Sequence, residues 1–186
     1  MKRVLFLFLY VSASLIAACS GGNGGSASEP EGEVEQNLYA KGFEIAHFNG
    51  FSTISVTDPW DTTKILQKYI LVEQGYPLPD NLPQGTVIRT PVRNIIMYTT
   101  IHASIWEELG ALDAIAGICE PEYLTSKVAL QMMQEGKIHD CGKAATPKEE
   151  KIMAIGGAFI VASPFEHGGY GQADKLGIPI SESAEY

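Results

Sequence analysis

Four short segments gather side chains suited to holding a small charged molecule: Thr99-Thr100, Glu120-Pro121-Glu122-Tyr123, Gly142-Lys143-Ala144 and Pro164-Phe165-Glu166-His167. The hydroxyls of Thr99 and Thr100 stand where a helix begins, and a helix N-terminus attracts anions. Thr100 has a plainer role as the helix N-cap. Lys143 follows the strand-end glycine Gly142 and can meet a carboxylate-rich ligand, or can stand as a solvated loop lysine. The rings of Tyr123 and Phe165 can lie against a flat aromatic or macrocyclic body, or serve as rim hydrophobes. Glu120 and Glu166 add carboxylates to the same set. This is the chemistry of binding. A G-x-S-x-G elbow, a phosphate loop and a G-x-G-x-x-G turn after a strand are all missing, and Glu166-His167 makes no triad. No enzyme and no cofactor are expected. The histidines, His47, His102, His139 and His167, show no H-x-H or H-E-x-x-H spacing, so no metal site is assigned.

The elements that must position these residues are alternating strands and helices. From Val92 onward, Arg93–Tyr98, Ala114–Cys119, Ile138–Cys141 and the fully apolar Phe159–Ser163 read as strands. Between them, Ile101–Leu109 and Thr125–Glu135 read as helices stopped by Gly110 and Gly136. Ile101, Ile105, Trp106 and Leu109 make one helical stripe, read as core packing. Thr146-Pro147-Lys148-Glu149 has the form of a capping box with proline at the first helical position, opening a helix to Ile155. A last short helix is expected around Gln172–Leu176, with a strand beginning at Ile178–Ile180. This alternation implies βαβ units and a parallel sheet. All four chemistry-bearing segments then fall at the carboxyl ends of its strands, where open α/β sheets hold ligands.

The chain before Val92 differs. Residues 38–91 contain the β-like runs FEIAHF, STISVT, KYILVE and TVIRT, separated by turn residues such as Asn49-Gly50 and Asp58-Pro59. They predict a short antiparallel preamble capping a sheet edge. Residues 19–37 are rich in Gly, Ser and Glu without apolar periodicity, the composition of a flexible tether. Residues 1–18 begin with Lys2 and Arg3 and continue as an apolar run that ends in small residues, as a secretory signal does.

Leu15-Ile16-Ala17-Ala18-Cys19 resembles a bacterial lipobox, which implies lipidation of Cys19 after cleavage. Acyl chains there would anchor the protein to a membrane at about 0.8 kcal/mol per buried CH₂. The expected place is the bacterial cell envelope, facing the periplasm; Ser20, not aspartate, after the cysteine favours the outer membrane. The full chain carries 13 Lys+Arg and 22 Asp+Glu; loss of Lys2 and Arg3 leaves 11 basic residues and a formal charge of −11. Such a balance argues against nucleic acid as a partner. Cys119 and Cys141 end apolar runs; a bridge needs Cα atoms within about 7 Å, and a third strand between them would set them about 10 Å apart. Their pairing stays open.

The order RNIIMYTTIHASIWEELGALDAIAGIC…IHDCGKAATPKEEKIMAIGGAFIVASP…ADKLGIPI, from about Arg93 to Ile180, resembles the amino-terminal lobe of the solute-binding proteins of ABC importers for iron–siderophore complexes and cobalamin. It covers nearly half the chain. The resemblance implies a class III periplasmic-binding-protein fold, with a parallel-sheet α/β amino-terminal lobe over residues 92–186. It implies a second lobe too, so the sequence is expected to be either the front of a longer chain or a natural single-lobe protein. It implies an iron–siderophore or related chelate as ligand, an ABC importer permease as partner, and Glu150 as the residue that docks on the permease. Cobalamin, haem, or direct zinc or manganese binding are the alternatives of the same class. A structural surface lipoprotein without transport is the alternative of another class. Gly156-Gly157-Ala158 departs from the family's turn before the last core strand.

Overall fold

In the computed structural model, residues 32–164, 170 and 173–183 are described. Their strands fall into two five-stranded sheets and a small hairpin.

The first sheet has the order β1-β2-β3-β4-β5, with β1 at Glu33–Val34, β2 at Phe43–Phe48, β3 at Phe51–Thr57, β4 at Ile65–Glu73 and β5 at Thr86–Thr90. Asn49-Gly50 makes the two-residue turn between β2 and β3, so Phe48 pairs with Phe51. Their rings stack with centroids 4.6 Å apart. The expected antiparallel pattern holds for β1 to β4. It fails at β5, which runs parallel to β4. Residues 74–85 cross over between the two strands. Leu82 of that crossover packs beside Phe51, Ile70 and Val72, so the segment covers one face of the sheet on its way back. A parallel return needs a crossover of this length, about a dozen residues.

The second sheet has the order β12-β11-β6-β7-β8, and all its neighbours are parallel. Its strands are β6 at Ile95–Met97, β7 at Ile115–Ile118, β8 at His139–Asp140, β11 at Phe159–Ala162 and β12 at Ile180–Glu182. Every residue of β6 and β11 is buried, as in a sheet covered on both sides. Alternation divides them. Ile95, Met97, Phe159 and Val161 face a core shared with Tyr69 and Ile88 of the first sheet and with helices α1 (Ile101–Glu108) and α2 (Lys127–Gln134). Ile96, Tyr98, Ile160, Ala162, Cys119 and Cys141 face the opposite core, covered by α3 (Glu149–Ala154) and by Leu176 and Ile178. The parallel-sheet α/β architecture and the antiparallel strands before it are therefore both present. The two sheets are also joined by a hydrogen bond, with the Glu182 amide donating to the Tyr69 hydroxyl at 2.8 Å.

Four local expectations need correction. The stripe of Ile101, Ile105 and Leu109 does not enter the core; these residues are 58%, 51% and 72% exposed. α1 instead turns His102 and Ala103 inward, with Trp106 packed at the margin. Thr146–Pro147 do not open a helix. They form β10, which pairs antiparallel with β9 (Gly142–Lys143), and α3 starts at Glu149 after Lys148. The strand bonds of Thr146 thus replace the capping box. α2 starts at Lys127, with the Ser126 hydroxyl accepting from the Ala129 amide at 3.0 Å. The last short helix is a 3₁₀ turn over Ala173–Leu176, and its following strand begins at Ile180.

Candidate functional site

The chain leaves β6 for β7 and β8 on one side, then returns to β11 and β12 on the other. The topological switch point therefore lies between β6 and β11, where an open α/β sheet forms a crevice beyond its carboxyl ends. Thr99 and Thr100 lie beyond β6, and Ser163 and Pro164 lie beyond β11. The Tyr98 amide carries the pairing one residue further, donating to the Val161 carbonyl at 2.9 Å.

Thr99 Oγ1 sits 2.9 Å from His102 Nδ1 across the first turn of α1. His102 is buried, at 3% exposure, and so is Tyr98. Thr100 occupies the N-cap position of α1 but makes no side-chain cap bond. Its hydroxyl is not committed to the role that sequence reasoning gave it as an alternative. Sequence reasoning set His102 aside as a metal-ligand candidate and did not see its bond to Thr99. The T-x-x-H spacing at a strand-to-helix junction was the available signal.

On the next strands, Glu120 and Gly142 meet directly. The Glu120 amide donates to the Gly142 carbonyl at 2.7 Å. Glu120 takes a left-handed conformation at φ 51°, which reverses the chain into the 3₁₀ turn Pro121–Tyr123 and leaves the Tyr123 ring 67% exposed. Gly142 is also left-handed, at φ +85°, where a side chain would be strained and would press on Lys148. Its amide donates to Asp140 Oδ1 at 2.7 Å. Asp140 Oδ2 pairs with Lys148 Nζ at 2.7 Å. The Lys148 bond, then the Gly142 amide, hold the Asp140 carboxyl below the ordinary carboxylate value. The same pair raises the Lys148 ammonium. Lys143, next in the hairpin, is exposed. Asp140 and Lys148 were missed in the sequence; they are eight residues apart and show no motif.

Six of the expected site residues thus share one sheet edge. Glu120 and Gly142 are hydrogen-bonded, Tyr123 and Lys143 flank them in solvent, and Thr99 and Thr100 follow the neighbouring strand. Phe165, Glu166 and Cys19 lie outside the described residues. Glu150 is exposed in the first turn of α3, while Glu149 is half-buried.

Directly below this edge sit the thiols of Cys119 and Cys141, both fully buried and not bonded to each other. Burial pushes the Cys119 thiol up to about 12 and the Cys141 thiol up to about 11, so both are protonated at neutral pH.

Two of the cavities lie away from this edge. One of about 370 Å³ is lined by Arg89, Arg93 and Asn94 with Val92 and Phe159, at the amino ends of β6 and β11. Another of about 450 Å³ lies on the first sheet beside His47, Phe48 and Tyr76. Neither touches the expected site residues. Among the described residues no three His, Cys, Asp or Glu side chains converge on a metal-sized site, and no helix is long and apolar enough to cross a membrane.

No protein-family model, no curated protein and no solved structure matches this chain.

Proposed function

We propose that this chain is a solute-binding protein, lipid-anchored through Cys19, whose parallel-sheet unit is the amino-terminal lobe of a class III periplasmic-binding-protein fold. In this reading the carboxyl edge of the sheet is one wall of a ligand cleft. Thr99, Thr100, Glu120, Tyr123, Gly142 and Lys143, with Phe165 and Glu166, contact an iron–siderophore or a related chelate. Glu150 docks on the permease of an ABC importer. The observation that carries the proposal is the strand order β12-β11-β6-β7-β8 with its switch point between β6 and β11. It sets Thr99 and Thr100 beside the crevice and the Glu120–Gly142 turn pair on the same edge.

Titration of the full-length protein with ferric siderophores, haem and cobalamin, followed by intrinsic fluorescence, tests this reading. Saturable binding to one of them, weakened by Tyr123→Ala, is the expected result. Absence of saturable binding to all three overturns it. The alternative reading is a surface lipoprotein that transports nothing. That reading gains if the titrations fail and Glu150→Ala leaves association with membranes containing the permease unchanged.

A further inference from the structure

β7 and β8 run parallel, with Gly117 opposite His139 and Ile118 opposite Asp140. The next residues on the two strands are Cys119 and Cys141. The backbone keeps the strands together at that step: the Cys141 amide donates to the Ile118 carbonyl at 2.9 Å, and the Glu120 amide donates to the Gly142 carbonyl at 2.7 Å. Neighbouring strands are about 4.8 Å apart, and disulfides span Cα separations of about 4.4–6.8 Å. Both side chains point to the same face of the sheet, into the core with Ile96, Ile152 and Ile160. Each thiol now makes a long contact to a carbonyl, Cys119 Sγ to Cys141 O at 3.8 Å and Cys141 Sγ to His139 O at 3.7 Å.

Cys141 Sγ now lies over Gly117, in the space that a side chain at residue 117 would take, so closing the bond needs this sulfur to rotate toward Cys119. The thiols differ from a pair brought together by chance on a surface. They follow the last paired residues of β7 and β8, face one way, and sit under the turns that carry Glu120, Tyr123, Gly142 and Lys143.

We propose that Cys119 and Cys141 form a disulfide-bonding pair that staples β7 to β8 beneath the sheet's carboxyl edge. The oxidant is a disulfide donor, either a small disulfide such as oxidised glutathione or the active-site disulfide of a thiol oxidoreductase. One cysteine thiolate attacks a donor sulfur, the donor S–S bond breaks, and one donor thiol leaves. The second cysteine thiolate then attacks the mixed disulfide, the internal S–S bond forms, and the second donor thiol leaves. The two cysteines together lose two electrons and two protons, and the donor disulfide is reduced to two thiols. Reaction occurs while the chain folds, because both sulfurs are sealed from solvent once β8 lies against β7. The high thiol values in the folded protein act in the same sense, since exchange needs the thiolate. The inference is independent of what the edge binds.

Refolding the full chain from denaturant in a buffer of oxidised and reduced glutathione tests it. After acid quench and alkylation in denaturant, a tryptic map without reductant reads the pairing. Cleavage after Arg93, Lys127, Lys137 and Lys143 puts Cys119 in peptide 94–127 and Cys141 in peptide 138–143; Cys19 falls in peptide 4–41. The expected product is 94–127 joined to 138–143, two hydrogens lighter than the sum of the peptides and separated by reductant. Alkyl or glutathione adducts on both peptides, or a link from either one to 4–41, overturn the proposal. A thermal melt provides the second readout. The linked form should melt higher than the reduced form, and a lower melting temperature for the linked form overturns the proposal too.

Discussion

Asp140 holds both sides of the turn that presents Lys143. One carboxylate oxygen accepts the Gly142 amide and the other pairs with Lys148, each at 2.7 Å. The same lysine's amide donates to the Cys141 carbonyl at 2.8 Å. A single side chain thus fixes where β8 ends and where the hairpin before α3 begins.

This arrangement has a defined pH dependence. The folded Asp140 carboxyl lies below its ordinary value of 3.8, so its contribution to stability is full above that value and disappears as pH falls through the lower, folded value. Lys148 has the opposite sign: its folded value lies above 10.5, so its contribution is full below 10.5 and lost as pH rises past the folded value. Asp140→Asn should melt below the wild type at neutral pH, with the gap closing under strong acid. Paired thermal melts from neutral to about pH 2 check this. A gap of constant size through the acid range would show that the charge is not its source.

The two faces of α1 and the sheet should respond differently to mutation. Ile96, at 0% exposure, lies under α3, and Ile96→Ala should cost about 2–5 kcal/mol. Ile105, 51% exposed, lies on the outer stripe of α1, and Ile105→Ser should stay within about 0.5 kcal/mol of wild type. Urea denaturation of both variants decides it. A large loss at Ile105 would mean that the stripe is covered in solution.

Gly117→Ala should be destabilising by about 1–3 kcal/mol, because the new methyl group meets Cys141 Sγ and the tips of Ile96 and Ile155. Adding Cys141→Ala removes the sulfur and should return part of that loss. A double-mutant cycle by chemical denaturation measures the coupling. Additive losses would place the collision elsewhere.

If the carboxyl edge binds a ferric chelate, Lys143→Ala should weaken binding by about tenfold, the effect of losing one hydrogen bond to a charged group. Lys137→Ala, on the exposed segment after α2, should leave affinity unchanged. Equal affinity for the wild type and the Lys143 variant would remove that residue from the site.

Much of this architecture was legible. FIVAS and RNIIMY are apolar runs short enough to be strands, and they became β11 and β6 at the centre of the sheet. Gly110 and Gly136 follow the ends of α1 and α2 in left-handed conformations, as their places in the sequence suggest. The errors have physical causes. A stripe at helical spacing shows that a face exists but not which way it turns, and His102-Ala103 on the other side of α1 won the core. Thr146 met the local rule for a helix cap, but pairing with Lys143 competed for the same backbone and prevailed. The parallel β4–β5 pair depends on Leu82 finding Ile70 and Val72, a contact that no local window contains. At the candidate site, strand-end position was readable because topology rules supply it. The Thr99–His102 and Asp140–Lys148 bonds were not, because each depends on side-chain geometry at a turn.

The bond from the Glu182 amide to the Tyr69 hydroxyl spans 113 residues of chain. A polypeptide that emerges amino end first has Tyr69 made long before β12 exists. The edge strand of the parallel sheet is thus tied to a strand of the first sheet by residues far apart in the chain, the kind of non-local pairing whose loop closure slows folding.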